Sequence, residues 1–138
     1  MVAASVADMV NWKAVLYGII TTFVLGLVSG FGLPSTDITL PVIGAGVTGL
    51  IAGRVAGYFA REGLRSGILH GFLATTIAGS CVALILLFTG TILAGVIGLS
   101  AGVVFLTLVL AQGIPGAIGG AIGGILGPAE TAAGQPTT

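Results

Sequence analysis

The feature that most constrains this chain is the exclusion of charge from its apolar stretches. Between residues 12 and 60 the charged side chains are Lys13, Asp37 and Arg54, and between residues 66 and 127 there are none. Mean hydropathy is +1.21, and 6% of the 138 residues are charged. A water-soluble domain cannot bury this much apolar surface with so few polar groups left to face water. The sequence therefore predicts an integral membrane protein with one domain.

The same composition argues against several classes of function. Net charge is zero, so no basic field favours binding to nucleic acid. One cysteine, Cys81, and one histidine, His70, are too few for a metal site of ordinary ligand spacing. No catalytic set and no phosphate-binding loop can be recognised. We expect a protein that is not an enzyme and that has no cofactor.

Four membrane-spanning helices are predicted from the lengths of the apolar stretches, since about 20 apolar residues cross the hydrocarbon core. The transmembrane domain covers residues 12–127, after a cytoplasmic amino-terminal segment (1–11) and before a disordered cytoplasmic tail (128–138). The predicted spans are 12–31, 40–60, 66–88 and 101–126. Pro34 and the Ser-Thr-Asp cluster end the first span, Pro41 suits the first turn of the second, and the run Thr89-Gly90-Thr91 breaks the third.

The placement of the fourth span has an alternative. In the first reading, residues 91–100 form a short helix or a re-entrant turn at the outer surface. In the second, the span covers 91–112, and the glycine-rich end dips partway into the membrane. That alternative needs irregular backbone at membrane depth, which is tolerated only against protein or a wet cavity.

Orientation follows from the basic residues. Arg61 and Arg65 share one short loop and Lys13 begins the first span, whereas the loop between the first two spans carries only Asp37. The excess of Lys and Arg in cytoplasmic loops predicts a multi-pass protein of the cell membrane with both termini in the cytoplasm.

An internal repeat links the first and third spans. The phrase VLYGIITT (15–22) resembles ILHGFLATT (68–76), with Gly18 aligned to Gly71 and Thr22 to Thr75. Each phrase precedes a span rich in spaced glycines. The predicted fold is therefore an all-α, four-helix transmembrane bundle that packs through glycine zippers, with two parallel helical-hairpin repeats as its proposed organisation.

Glycines four residues apart share one helix face and allow a neighbouring backbone to approach closely. Three readings stay open for these faces: packing within one chain, an interface between copies, or the lining of a pore. The candidate helix-packing residues are Gly26, Gly30, Gly49, Gly53, Gly57, Gly116, Gly120 and Gly124.

Arg54 is the one charge placed well inside a predicted span. Its long stem allows the guanidinium to reach the headgroups, and the alternative is the floor of an inward-facing cavity that holds an anion. If the second helix extends into the polar run REGLRS (61–66), one helical stripe suited to an anionic headgroup contains Arg54, Tyr58, Arg61 and Arg65. His70 begins the third span near the same surface and joins these candidates, either as an interfacial polar residue or as a pH-sensitive gate.

Gln112 and Pro115 form a candidate hinge late in the fourth span. Pro115 lacks a backbone donor and is expected to kink the helix or to begin a new helical segment. The amide of Gln112 is expected to satisfy the freed carbonyls or to bond another helix.

Three runs of the chain are considered together: WKAVLYGIITTFVLGLVSGFGLPSTDITLPVIGAGVTGLIAGRVAGYFAREG, SGILHGFLATTIAG and GIPGAIGGAIGGILG. They resemble a family of small membrane proteins from halophilic archaea whose function is unknown. The resemblance covers residues 12–127. It implies four spans and a haloarchaeal source, and it carries over no catalytic or binding residue.

Two functional hypotheses follow. The first is an oligomeric scaffold or accessory subunit that contacts membrane lipids, further copies of itself or a larger membrane complex, with the arginine stripe facing anionic lipid or a partner. The second is a small channel or transporter with a cytoplasm-facing cavity at Arg54.

Overall fold

The computed structural model describes residues 10–32, 39–61 and 63–128. Within these ranges three helices follow one another: α1 (Trp12–Gly32), α2 (Thr39–Ala60) and α3 (Gly63–Leu126). The expected all-α class is therefore confirmed. The predicted amino-terminal segment up to residue 9, the loop at 33–38 and the tail from 129 lie outside the described residues.

The chain reverses its direction within α3, so that α3 consists of two antiparallel arms. It has 64 residues, so an uninterrupted straight helix would extend for about 96 Å. At Gly95 the backbone leaves the helical region, with φ 57° and ψ −130°. A residue with a Cβ is strained at this φ, so glycine is the residue that permits the break.

Residues before Gly95 contact residues after it along the length of the two arms. Close contacts pair residues progressively farther from the break: Gly90 with Gly98, Gly79 with Val109, and Gly67 with Gly124. This order shows that the amino-terminal arm (63–94) and the carboxyl-terminal arm (96–126) run antiparallel.

The break at Gly95 falls within residues 91–100, which the first reading placed between the third and fourth spans, but the third helix ends later than expected. The run 89–91 does not end the helix, which continues to Gly95. The Thr91 hydroxyl donates to the carbonyl of Leu87 at 2.6 Å, so this polar side chain is satisfied by its own helix. The glycine-rich segment after Gln112 is also helical as far as Leu126, so the irregular backbone required by the alternative placement is not observed there.

α2 and α1 pack on this pair of arms through small residues. Along α2, Gly49, Gly53 and Gly57 contact positions that advance in the same direction along the carboxyl-terminal arm, so these two helices run parallel. α1 packs mainly through its amino-terminal half, where Gly18 contacts Ala52, Ala56 and Ala74.

The interior is built from small residues, and the large apolar side chains lie outside. The fully buried apolar positions include Ala14, Ala52, Ala74 and Ala78. Near the break, by contrast, Ile92 is 82% exposed and Ile97 is 77% exposed. This is the reverse of a water-soluble domain, in which large aliphatic side chains form the core.

Candidate functional site

The closest helix contacts are made by glycines at which backbone touches backbone. A Cβ built on Gly53 would overlap the carbonyl oxygen of Gly116, and one built on Gly57 would overlap that of Gly120. In glycine, a hydrogen on Cα points in the direction that a Cβ would take, and here it points at the carbonyl oxygen of the neighbouring helix. These are therefore contacts of the Cα–H···O type, which stabilise close helix pairs where apolar burial offers little.

The carboxyl-terminal arm of α3 is contacted on two sides. Towards α2, Gly119 lies against the carbonyl of Leu50 and Gly123 against that of Arg54. Towards the amino-terminal arm, Gly120 lies against Gly67. The arm is thus the central element, since it joins α2 to the rest of α3.

The structure places most of the predicted packing residues at these contacts. Six of them contact another helix or the other arm of α3 within the described residues: Gly49, Gly53, Gly57, Gly116, Gly120 and Gly124. Among the described residues, no atom beyond the helix turns around Gly26 lies within 4 Å of the position of a Cβ there. Gly30 belongs to α1, but its surroundings lie outside the described residues.

Gln112 connects the carboxyl-terminal arm to α2. Its side-chain Nε2 donates to the carbonyl of Ala45 at 2.8 Å, which confirms the expected bond to another helix. The expectation that Pro115 begins a new helical segment is wrong, because α3 continues through Pro115 and its non-helical residue is Gly95. A proline removes one hydrogen bond from a helix, whereas a positive φ changes the direction of the chain.

The arginine candidates are exposed and lie towards one end of the molecule. Arg54 and Tyr58 are one turn apart on α2, and their backbone packs against Gly123 while their side chains are exposed. Arg61 and Arg65 are exposed as well. A single helical stripe through all four is wrong, because α2 ends at Ala60 and Arg61 has φ 59°.

Aromatic side chains mark the same end, which we call the hinge end because it contains the α2–α3 junction. The rings of Tyr17 and Phe59 lie 4.7 Å apart between centroids, and those of Tyr58 and Phe59 lie 5.5 Å apart. Trp12 is 58% exposed at the start of α1. Such an aromatic group is typical of a membrane–water interface.

His70 differs from the exposed arginines because its side chain is buried. It has 0% exposure, and both ring nitrogens are hydrogen-bonded. The N–H of Asn11 donates to Nε2 at 2.8 Å, and Nδ1 lies 2.7 Å from the carbonyl oxygen of Ser66. We call Asn11, Ser66 and His70 the His70 node. The burial removes His70 from direct contact with a headgroup in this structure and makes it a link between α1 and α3.

One polar group lacks a partner within the described part of the chain. The hydroxyl oxygen of Thr76 is buried and has no hydrogen bond. It lies on the seam between the arms, 2.7 Å from the position of a Cβ on Gly113. The neighbouring Thr75 donates to the carbonyl of Gly71 at 2.9 Å.

Within the described residues, no group of three or more His, Cys, Asp or Glu side chains lies close enough to hold a metal ion.

Sequence reasoning missed Asn11 and Gly95. Asn11 caps α1, since its Oδ1 accepts from the N–H of Lys13 at 3.2 Å and of Ala14 at 3.4 Å. An asparagine directly before an apolar helix was the available signal. Gly95 had no comparable signal, because it is one of 25 glycines and its immediate neighbours do not distinguish it.

Together these features define an all-helical protein with helices that pack through glycine and alanine and expose large aliphatic side chains. Residues 12–128 match the family of unknown function DUF5518, and the chain belongs to this family. Comparison with curated proteins and with solved structures found no match. Two helical stretches in the described residues, Ile43–Ala60 and α3, are long and apolar enough to cross a membrane, and α1 contributes a shorter apolar helix, Trp12–Val28.

Proposed function

We propose that this protein is a multi-pass membrane protein that acts as an oligomeric scaffold or accessory subunit and is not an enzyme. The observation that carries the membrane location is the reversed distribution of side-chain size, with alanine and glycine inside and large aliphatics outside. In the most apolar stretch of α3, only 11% of the residues are buried. A core helix of a soluble protein is mostly buried, so this exposure favours lipid as the surrounding solvent.

Four spans are the most economical arrangement in a bilayer. α1, α2 and the two arms of α3 would cross in turn, with the break at Gly95 on the outer side and the hinge end in the cytoplasm. The four basic residues support this orientation of a four-helix bundle, since Lys13, Arg61 and Arg65 lie at the hinge end and Arg54 lies six residues before the end of α2. The haloarchaeal source implied by the resemblance stays a prediction.

Self-association would use a helix face that packing inside the chain leaves free. Gly26 on α1 is open, whereas the described glycines of the carboxyl-terminal arm are in contact with other helices. Small residues allow close approach of a helix from a second copy in lipid.

The test is the mass of the protein extracted with its native lipids in polymer discs and analysed by native mass spectrometry. We expect oligomers for the wild type and fewer for Gly26→Leu. Gly46→Leu on α2 is the comparison, since Gly46 also has nothing within 4 Å among the described residues, and the pair of variants identifies which open face the second copy uses. A strictly monomeric wild type would contradict the proposal.

The exposed Arg54, Arg61 and Arg65 would contact anionic headgroups or an acidic partner at the cytoplasmic surface.

The alternative function, a channel or transporter, needs a cavity beside Arg54. The contact of the Arg54 backbone with Gly123 and the exposed side chain favour the scaffold instead. Ion flux through reconstituted vesicles that changes with Arg54→Ala would favour the channel.

A further inference from the structure

We infer that the His70 node is a proton-sensitive contact that holds the amino-terminal end of α1 against α3 at neutral pH and releases it in acid. This inference goes beyond the scaffold proposal and does not depend on it.

The hydrogen bonds define the protonation state of the ring. The carbonyl oxygen of Ser66 can only accept, so Nδ1, 2.7 Å away, donates to it, and the Ser66 hydroxyl oxygen lies 3.0 Å from the same nitrogen, where it can also accept. The N–H of Asn11 can only donate, so Nε2, 2.8 Å away, must be unprotonated. The bonded ring is therefore the neutral tautomer with hydrogen on Nδ1.

Adding a proton to Nε2 removes the one acceptor that Asn11 uses. Two donors would then face each other, and the imidazolium would lie at the start of α1, where the helix dipole is positive. The bond joins residues 59 positions apart. Its loss therefore affects the contact between α1 and α3 and leaves each helix intact.

The surroundings offer the imidazolium no described counter-charge. The titratable groups that the packed elements carry towards the hinge end are Lys13 and Tyr17 on α1, Arg54, Tyr58 and Arg61 on or directly after α2, and Arg65 on α3. The charges among these are all positive. The neighbouring acids Asp8 and Glu62 lie outside the described residues.

The node adds to a local apolar cluster, against which Ile19, Leu73 and Ile77 also pack, so loss of the bond affects the first turn of α1 and not its whole attachment. Val10 and Val15 form a cluster with Ala56 and Ala74 at the start of α1. Beyond Leu25, α1 residues with described surroundings are exposed, for example Val28 at 66%. Release of Asn11 would uncover Val10 and loosen the first turn.

The chain carries its own reporters, since Trp12 is its one tryptophan and His70 its one histidine. The full protein in lipid nanodiscs is acidified in steps from about pH 7.5 until Trp12 responds or the fold is lost. We expect quenching of Trp12 by acrylamide to increase on acidification. Hydrogen-exchange protection of the first turn of α1, corrected for intrinsic rates, should fall about fivefold, as for the loss of one hydrogen bond.

The matched control is His70→Gln, whose amide oxygen provides an acceptor near the position of Nε2 and does not titrate. We expect its Trp12 quenching and its exchange to be independent of pH. An equal acid response in His70→Gln, or no response in the wild type, would overturn the inference.

If the variant does not fold, the wild type alone decides the question. The ring nitrogens of His70 are followed by ¹⁵N NMR with any affinity tag removed. We expect the Nδ1–H tautomer at neutral pH and double protonation over the pH range in which Trp12 responds. A ring that stays neutral while Trp12 changes would refute the inference.

Discussion

At the residue scale, the structure depends on positions where a side chain is missing. Gly53, Gly57 and Gly120 each have a carbonyl oxygen of another helix, or of the other arm of α3, where a Cβ would be. The spacing of these glycines predicted that a backbone would approach them. It could not identify the approaching backbone, because the same spacing suits a partner in the same chain or in another copy.

Gly53→Ala should lower the free energy of unfolding by about 1–3 kcal/mol, the usual cost of forcing atoms into a packed interior. The added methyl group would overlap the carbonyl of Gly116 and push α2 away from the carboxyl-terminal arm. The measurement is an unfolding titration with SDS in mixed micelles. Gly46→Ala is the control, since nothing lies within 4 Å of that position. Equal losses in both variants would contradict the prediction.

Thr76→Val should stabilise the protein by about 1 kcal/mol, because it removes a buried hydroxyl without a partner and keeps the shape of the side chain. Thr75→Val is the comparison. It deletes the bond to the carbonyl of Gly71 and should be slightly destabilising. The same SDS titration measures both. A loss of stability in Thr76→Val would mean that the hydroxyl binds a group such as an ordered water.

At the element scale, the sequence predicted the first two helices closely. The expected spans 12–31 and 40–60 agree within one residue with α1 (Trp12–Gly32) and α2 (Thr39–Ala60). The sequence between these helices contains a proline and a run of hydroxyl residues, and such signals are local. The remainder of the chain was harder, because threonine and glycine occur in lipid-facing helices as well as in breaks.

Gly95→Ala should destabilise the turn between the arms by about 1–3 kcal/mol, the cost of a side chain in a sparsely populated region of backbone angles. The φ of 57° with ψ of −130° suits glycine. Gly90→Ala is the matched control, since it is helical and its Cβ would meet atoms no closer than 3.5 Å. Thermal unfolding in detergent compares the two. Unchanged stability of Gly95→Ala would show that the turn adapts without cost.

At the scale of the whole molecule, the distribution of side-chain size supports immersion in lipid. Leu93 is 80% exposed and Val96 is 82% exposed at the reversal of α3, and His70 and Thr75 are the largest polar side chains that are fully buried. Lipid removes the penalty for exposed aliphatic surface and leaves close backbone packing as the main source of helix association.

Alkaline carbonate should leave the protein in the membrane pellet, and detergent should be needed to extract it. The physical reason is that transfer of the exposed aliphatic side chains from lipid to water is unfavourable in proportion to their area. The assay is fractionation followed by immunoblotting. Release by salt or alkali alone would reject the membrane location.

The proposed orientation has a separate test. In a Cys81→Ser background, the variant Arg61→Cys, at an exposed position, should react with a membrane-impermeant maleimide only after the cells are opened. Labelling of intact cells would place the hinge end outside and reverse the orientation.

The sequence by itself determined the all-helical class, the limits of α1 and α2, and the exclusion of charge from the apolar stretches. These properties are local or additive: hydropathy is a sum over neighbouring residues, and caps and prolines act within a turn of the helix. Only the tertiary structure decided which glycines face one another, that Gly95 reverses the chain, and that His70 is buried against Asn11. Each of these depends on contacts between residues far apart in the chain, and such contacts leave no periodic signal.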